Sequence, residues 1–210
     1  MKRILPLVLA TVLAITSLNA LDLTPTQGFR ELEGVQIPIV FFADDARKVQ
    51  WQPPGQWRMS GGSGSLTLLP PETPNAGMEL RVVPRKASEA PDGRTDPQAA
   101  VTWAQPFLPA QSGNAAFVKE LPSPFLLGGL SCREITFTYS YLNKEYKTSV
   151  ALVNLDLEHT LVVIIYALTG DFDLIHEDGT RSLFRWVWLG SPAPKNRIGA
   201  RVSSDYTPVK

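Results

Sequence analysis

The feature that most constrains this chain is the run at 161–168, Leu-Val-Val-Ile-Ile-Tyr-Ala-Leu, which is apolar on both faces apart from Tyr166. An alternating strand needs cover on one side only. A strand apolar on both sides belongs in the middle of a sheet with a layer above and a layer below. The residues upstream supply its neighbours. In 134–141, Ile135, Phe137, Tyr139 and Tyr141 alternate with Glu134, Thr136, Thr138 and Ser140, the pattern of an antiparallel strand with one face toward solvent. A polar turn at 142–145, in which Asn143 tolerates left-handed backbone, returns the chain through 146–153. There Tyr146, Thr148, Val150 and Leu152 face one way and Lys147, Ser149, Ala151 and Val153 the other. A second turn at 154–158 leads into the central run. The stretch 131–189 therefore holds a three-strand meander, whose sheet needs a lid on both faces, and then an amphipathic segment.

The first lid follows directly. Phe172, Ile175, Gly179, Leu183, Trp186 and Val187 recur at helical spacing, with Asp171 or Thr169 placed to cap. Asp178-Gly179 in mid-segment permits a second reading, since Asp-Gly between apolar runs is also a hairpin signal and Gly inside a helix costs about 1 kcal/mol relative to Ala. If 171–189 is one helix, Gly179 lies on its buried face and lets the backbone approach the sheet. The second lid is upstream, where Asp96 caps and Pro97 opens a helix whose Ala99, Ala100, Trp103 and Phe107 share one face, ending near Pro109.

Toward the N-terminus, residues 21–34 form a lead-in with little pattern. From Val35 the alternation sharpens into a hairpin, with strands on either side of Asp44-Asp45 and a turn at Pro53-Pro54-Gly55. The Gly/Ser stretch 61–65 then leads into a strand at 66–69. The loop 70–75 follows, and Met78 to Val83 alternates as another strand. Residues 84–96 read as a surface loop, 115–120 as a strand and 121–129 as a Pro/Gly-rich connection. After 189 the chain becomes a polar, Pro-bearing tail, 190–210, expected to be flexible.

Residues 1–20 have the three parts of a secretory signal: Lys2 and Arg3, an apolar run from Ile4 to Ile15, and small residues up to Ala20. An uncleaved anchor is the alternative. The lone cysteine, Cys132, is far from the cleavage point, which excludes a lipid anchor there. Removing Lys2 and Arg3 from the 20 basic residues leaves 18 against 20 acidic ones, so no basic excess exists to recruit nucleic acid or anionic lipid. The product is expected in the periplasm or outside the cell, with no integral membrane segment after cleavage. One cysteine forms no internal disulfide, so the domain at 35–189 relies on packing, and Cys132 reads as a small buried hydrophobe.

No residue set specifies a reaction. The Gly/Ser stretch lacks the Lys-Ser/Thr of a phosphate loop, and Ser65 stands where a Gly-x-Ser-x-Gly elbow needs glycine. His176, Glu177 and Asp178 with Asp171 and Asp173 match no metal-ligand spacing, and they read as a solvated helix face. His159 falls in a strand turn, and Asp44-Asp45 is turn chemistry. No catalytic, cofactor or metal residue is assigned.

Gln52-Pro53-Pro54-Gly55-Gln56-Trp57 resembles the Pro-x-x-Trp entry of the PsbP-like superfamily. The end of the domain, two long strands followed by Asp171-Phe172-Asp173 and an aromatic-bearing helix, is similar to that family's close. The likeness spans roughly 35–189 and departs from the pattern at Gly179 and in the long loop 70–77. It implies an α+β fold, an αβα sandwich with a central antiparallel sheet, and members that act as binding or assembly factors. It carries no site residues over to this chain. The function expected is an exported, non-enzymatic binding or assembly module of the cell envelope that holds a protein partner by a sheet edge or aromatic groove. The alternatives are a hydrolase or other enzyme with a site assembled from distant loops, and a carrier of a small apolar ligand. No cofactor is expected.

Overall fold

The computed structural model describes residues 20–43 and 48–189. The expectations for 1–19, for Asp44 and Asp45 and for the tail 190–210 lie outside the described residues. In chain order the elements are β1 (Asp22–Leu32), β2 (Val35–Ala43), β3 (Lys48–Trp51), β4 (Arg58–Gly62), β5 (Ser65–Leu69), β6 (Gly77–Pro84), α1 (Pro97–Ala104), β7 (Gly113–Leu127), β8 (Leu130–Tyr141), β9 (Lys144–Asn154), β10 (His159–Leu168), α2 (Phe172–Leu183) and β11 (Val187–Leu189). The class is α+β. A seven-stranded sheet runs β4-β5-β6-β10-β9-β8-β7 and a four-stranded sheet runs β1-β2-β3-β11, with antiparallel pairing throughout.

The doubly apolar run occupies the middle position of the larger sheet, as its composition demands. Leu161, Val163 and Ile165 enter one core and Val162 and Ile164 enter the other. The first core is closed by Phe172, Ile175 and Leu183 of α2 together with Val40, Phe42, Val49 and Trp51 of the smaller sheet. The second is closed by Ala100, Val101 and Ala104 of α1. One lid is therefore a helix plus a sheet, and the other is a short helix.

Local chemistry accounts for the turns and ends. Leu142 and Asn143 have φ of 49° and 59°, and Tyr141 pairs with Lys144, so β8 and β9 are joined by the two-residue left-handed turn that suits their twist. At α1 the Asp96 carboxylate accepts from the Ala99 N–H at 2.9 Å, with Pro97 at the first helical position. The helix is shorter than its apolar spacing predicts. Pro106 has no N–H to continue the ladder, and the chain tightens into a 3-10 turn over 105–107.

α2 runs unbroken through Asp178-Gly179, which removes the hairpin alternative. A Cβ on Gly179 would stand 2.9 Å from Ile165 Cδ1, so the missing side chain is what lets helix and sheet close. Asp171 occupies the N-cap, but its side chain makes no capping bond. The helix also stops at Leu183, before Trp186 and Val187, which the periodicity had assigned to it. Trp51 Nε1 donates to the Ser182 carbonyl at 3.0 Å, taking up one of the carbonyls a helix end leaves free. Trp186 then drops between Phe42 and Trp51, with ring centroids 5.6 and 6.0 Å away, and Val187 to Leu189 pair with β3.

Three further readings change. The lead-in at 21–34 is a strand, β1, which pairs with β2 and buries Leu21 and Leu23 at its start. Residues 121–127 continue β7 instead of connecting; a sheet edge tolerates Pro122 and Pro124, whose missing donors no neighbour needs. The polar face of β8 does not reach solvent at its start, because Glu134 and Thr136 are buried beneath the α2 layer.

Candidate functional site

Two places concentrate polar chemistry or exposed apolar surface. The first lies under α2. Glu134 of β8 is 3 % exposed, and its carboxylate meets Nε2 of His176 from α2. Burial alone raises this carboxyl, but the imidazole's hydrogen bond and charge, the Ser149 hydroxyl and the charge of Lys119 outweigh it and hold the group below the usual carboxylate range. His176 also stacks on Phe172, at 5.2 Å between centroids, while Lys147 Nζ lies 4.7 Å from the centroid of the Phe172 ring and reaches Asp173 Oδ1 at 3.1 Å. Ser, His and a carboxylate are thus brought together, but the carboxylate stands between the other two. A nucleophilic triad needs the imidazole between hydroxyl and carboxylate, so this arrangement orients and neutralises a buried charge and does not activate Ser149.

The other residues weighed from the sequence are dispersed. Glu177 and Asp178 turn to Arg181 on the same helix, and Asp173 turns to Lys147, so the acidic positions around His176 do not converge. Among the described residues no cluster of three or more metal-ligating side chains forms. His159 Nδ1 sits 3.2 Å from Asp156 Oδ1 in the turn before β10, where it closes the loop. Ser63 and Gly64 make the tight turn between β4 and β5. Sequence reasoning missed Glu134 altogether. The available signal was parity: Leu130 and Cys132 share its face of β8 and are apolar.

The second place is the outer face of the four-stranded sheet. The β1–β2 hairpin extends past the core, and its register puts Gly28 opposite Ile39, Arg30 opposite Ile37 and Leu32 opposite Val35, all on one face. Val35 is 62 % and Leu32 47 % exposed. Where this face meets the end of α2, a groove of about 300 Å³ is lined by Arg30, Ile39, Phe184, Arg185 and Val187, with Gln50 and Gln52 between them. Phe184 is 62 % and Val187 46 % exposed. Among the described residues the groove lining holds two guanidinium groups and no carboxylate. Gly28 has a local role here, since a Cβ would lie 2.7 Å from the Phe41 ring that packs over it.

No family model and no curated protein matches this chain. Among solved structures, it is similar to LpqN of Mycobacterium tuberculosis, described as involved in cell envelope biogenesis. That likeness has 15 % identity and a TM-score of 0.42 over 78 % of this chain and 91 % of that one. It is also similar to PA94 of Pseudomonas aeruginosa, described as a protein of unknown function, with 12 % identity and a TM-score of 0.41 over 80 % of this chain and 98 % of that one. Among the described residues no helix is long and apolar enough to cross a membrane.

Proposed function

We propose that this chain is an exported, non-catalytic binding module of the cell envelope or extracellular space, built as a PsbP-like αβα sandwich, that docks a protein partner on the outer face of its smaller sheet. The observation that carries the reading is the groove beside Phe184 and Val187, continued by Leu32 and Val35 along the projecting hairpin. Among the described residues nothing covers the apolar side chains of Leu32 and Val35 at the end of the hairpin, and a strongly exposed apolar patch is the ordinary mark of an interface. Arg30 and Arg185 set the partner's chemistry: a segment with apolar side chains at its centre and carboxylates at its rim. What supports the sandwich is the placement of α1 and α2 against opposite faces of one sheet, with the meander and Asp171-Phe172-Asp173 in the order the family resemblance leads one to expect.

The test is site-specific photo-crosslinking in the native host. A crosslinker at Val35 or Phe184 is expected to trap a defined protein adduct that one at exposed Leu157, in the turn between β9 and β10, does not. Leu32→Asp combined with Val187→Asp should abolish that adduct from either crosslinking position and leave the unfolding midpoint nearly unchanged. An adduct that survives the double substitution, or none from either position, sinks the docking reading. Mass spectrometry of the host protein tests export separately: a mature N-terminus at or near Leu21 is expected, and intact Met1 on a cytosolic protein would overturn the compartment.

A further inference from the structure

On the opposite side of the larger sheet, the 3-10 turn at 105–107 and the residues after it stand over the strands and leave a half-open cleft of about 230 Å³. Tyr139, Thr148, Ile164 and Tyr166 line the sheet side, and Phe107 and Leu108 line the other. At the rim, Glu79 holds Arg81 through both carboxylate oxygens, at 2.5 and 2.7 Å, and Arg81 Nη1 donates to the Pro106 carbonyl at 3.2 Å, tying roof to floor. Glu79 and Arg81 cancel as a pair, and among the described residues no other charged side chain lines the cleft. The cleft is therefore neutral.

Its polar groups are unequally satisfied. The Thr148 hydroxyl donates to the Ile165 carbonyl at 3.1 Å. Tyr139 is 1 % exposed as a residue, but its hydroxyl is not sealed from solvent and makes no hydrogen bond to a described residue. A phenol in that position can donate to whatever fills the cleft. Burial pushes the Tyr139 hydroxyl above the usual tyrosine range, followed by the charges of the neighbouring tyrosines, so the group is protonated and able to donate at any physiological pH. Size narrows the occupant. A cavity of about 150 Å³ takes benzene, so this one accommodates a single ring with a short substituent.

We propose that this cleft binds a small uncharged monocyclic molecule whose oxygen accepts a hydrogen bond from the Tyr139 hydroxyl. Phe107, Leu108 and Ile164 supply the apolar walls for the ring, and the neutral rim disfavours an anion or cation of the same size, which would lose its hydration without gaining a counter-charge. This site lies away from the groove beside Phe184, so it goes beyond the docking reading, and either can fail while the other stands.

The experiment is a titration of the purified protein, followed by two-dimensional NMR of its methyl groups, with three probes of similar shape: acetophenone, ethylbenzene and benzoate. Acetophenone should give saturable shifts centred on the Ile164 and Leu108 methyls, and ethylbenzene and benzoate should bind several-fold more weakly. Tyr139→Phe removes only the hydroxyl and should weaken acetophenone by about 2- to 10-fold, the loss of one hydrogen bond, while leaving ethylbenzene unchanged. Phe107→Ala, at the half-buried roof, should weaken both neutral probes and keeps the test open if the Tyr139 substitution disturbs folding. Shifts that do not saturate or lie elsewhere, acetophenone binding indifferent to Tyr139→Phe in a folded protein, or tighter binding of benzoate would each overturn the proposal.

Discussion

Glu134 on β8 and His176 on α2 meet across the helix–sheet interface, a carboxylate 3 % exposed against an imidazole that keeps one edge near solvent. The contact ties α2 to β8, two strands from the central one. Because the folded protein holds the Glu134 carboxyl below its unfolded value, the group's contribution to stability is present above the unfolded pKa and is lost as pH falls through the folded one. In His176→Phe the carboxylate keeps its burial and loses its main partner, so its folded pKa rises above the unfolded value and the sign reverses. At pH 7 this variant should be less stable by about 1–3 kcal/mol. Between pH 7 and 4.5, roughly the range above the carboxylate pKa, the variant should gain stability relative to the native protein as its carboxyl takes up a proton. Urea midpoints across that range check it; parallel curves for the two proteins would mean that the pair is not coupled.

Gly179 sets the distance between α2 and β10. Gly179→Ala trades a gain in helix propensity of about 1 kcal/mol against pressure on the flexible end of Ile165, and the net should stay within about 1 kcal/mol of zero. Gly179→Leu cannot be absorbed by that one methyl group and should destabilise by about 1–3 kcal/mol or more. Denaturation of both variants separates a spacing requirement from a propensity effect. Equal stability for Ala and Leu would show that the close approach does not matter.

Cys132 is 3 % exposed, and its thiol donates to the Phe125 carbonyl at 3.2 Å. Burial, more than any charge, pushes the thiol up to about 11, so almost no thiolate exists near neutrality. A thiol reagent at pH 8 should label the folded protein far more slowly than the same protein in denaturant. Rapid native labelling would instead indicate an accessible, reactive group.

Ile164 and Lys147 test the central strand against its neighbour. Ile164→Ala removes three buried carbons from the centre of the second core and should cost about 2–5 kcal/mol. Lys147 does not stand free in solvent as its alternation suggests, since it lies over Phe172 and pairs with the exposed Asp173. A contact of that kind contributes about 0.5–1 kcal/mol, so Lys147→Ala should be the milder change. Similar small losses from both would remove the argument that 161–168 is the middle of the sheet.

The periodicity of single segments is local, and what depends on it was legible. Two-faced apolarity at 161–168 placed β10 in mid-sheet, Asn143 marked the β8–β9 turn, Asp96-Pro97 opened α1, and the spacing of Phe172, Ile175, Gly179 and Leu183 marked the buried face of α2. Each follows from backbone geometry and the cost of leaving apolar surface in water, which neighbouring residues already declare. The remainder depended on what packs against a face, and alternation reports two faces without saying what covers them. Glu134 looks like a solvent residue until α2 closes over it. Trp186 fits a helical period until its indole finds Phe42 and Trp51 in the other sheet. The cleft beside Tyr139 exists only because a 3-10 turn distant in sequence, held by Arg81, stops short of the strands. Those choices were made by tertiary contacts, because burial and hydrogen-bond satisfaction belong to the assembled surfaces and not to any one segment.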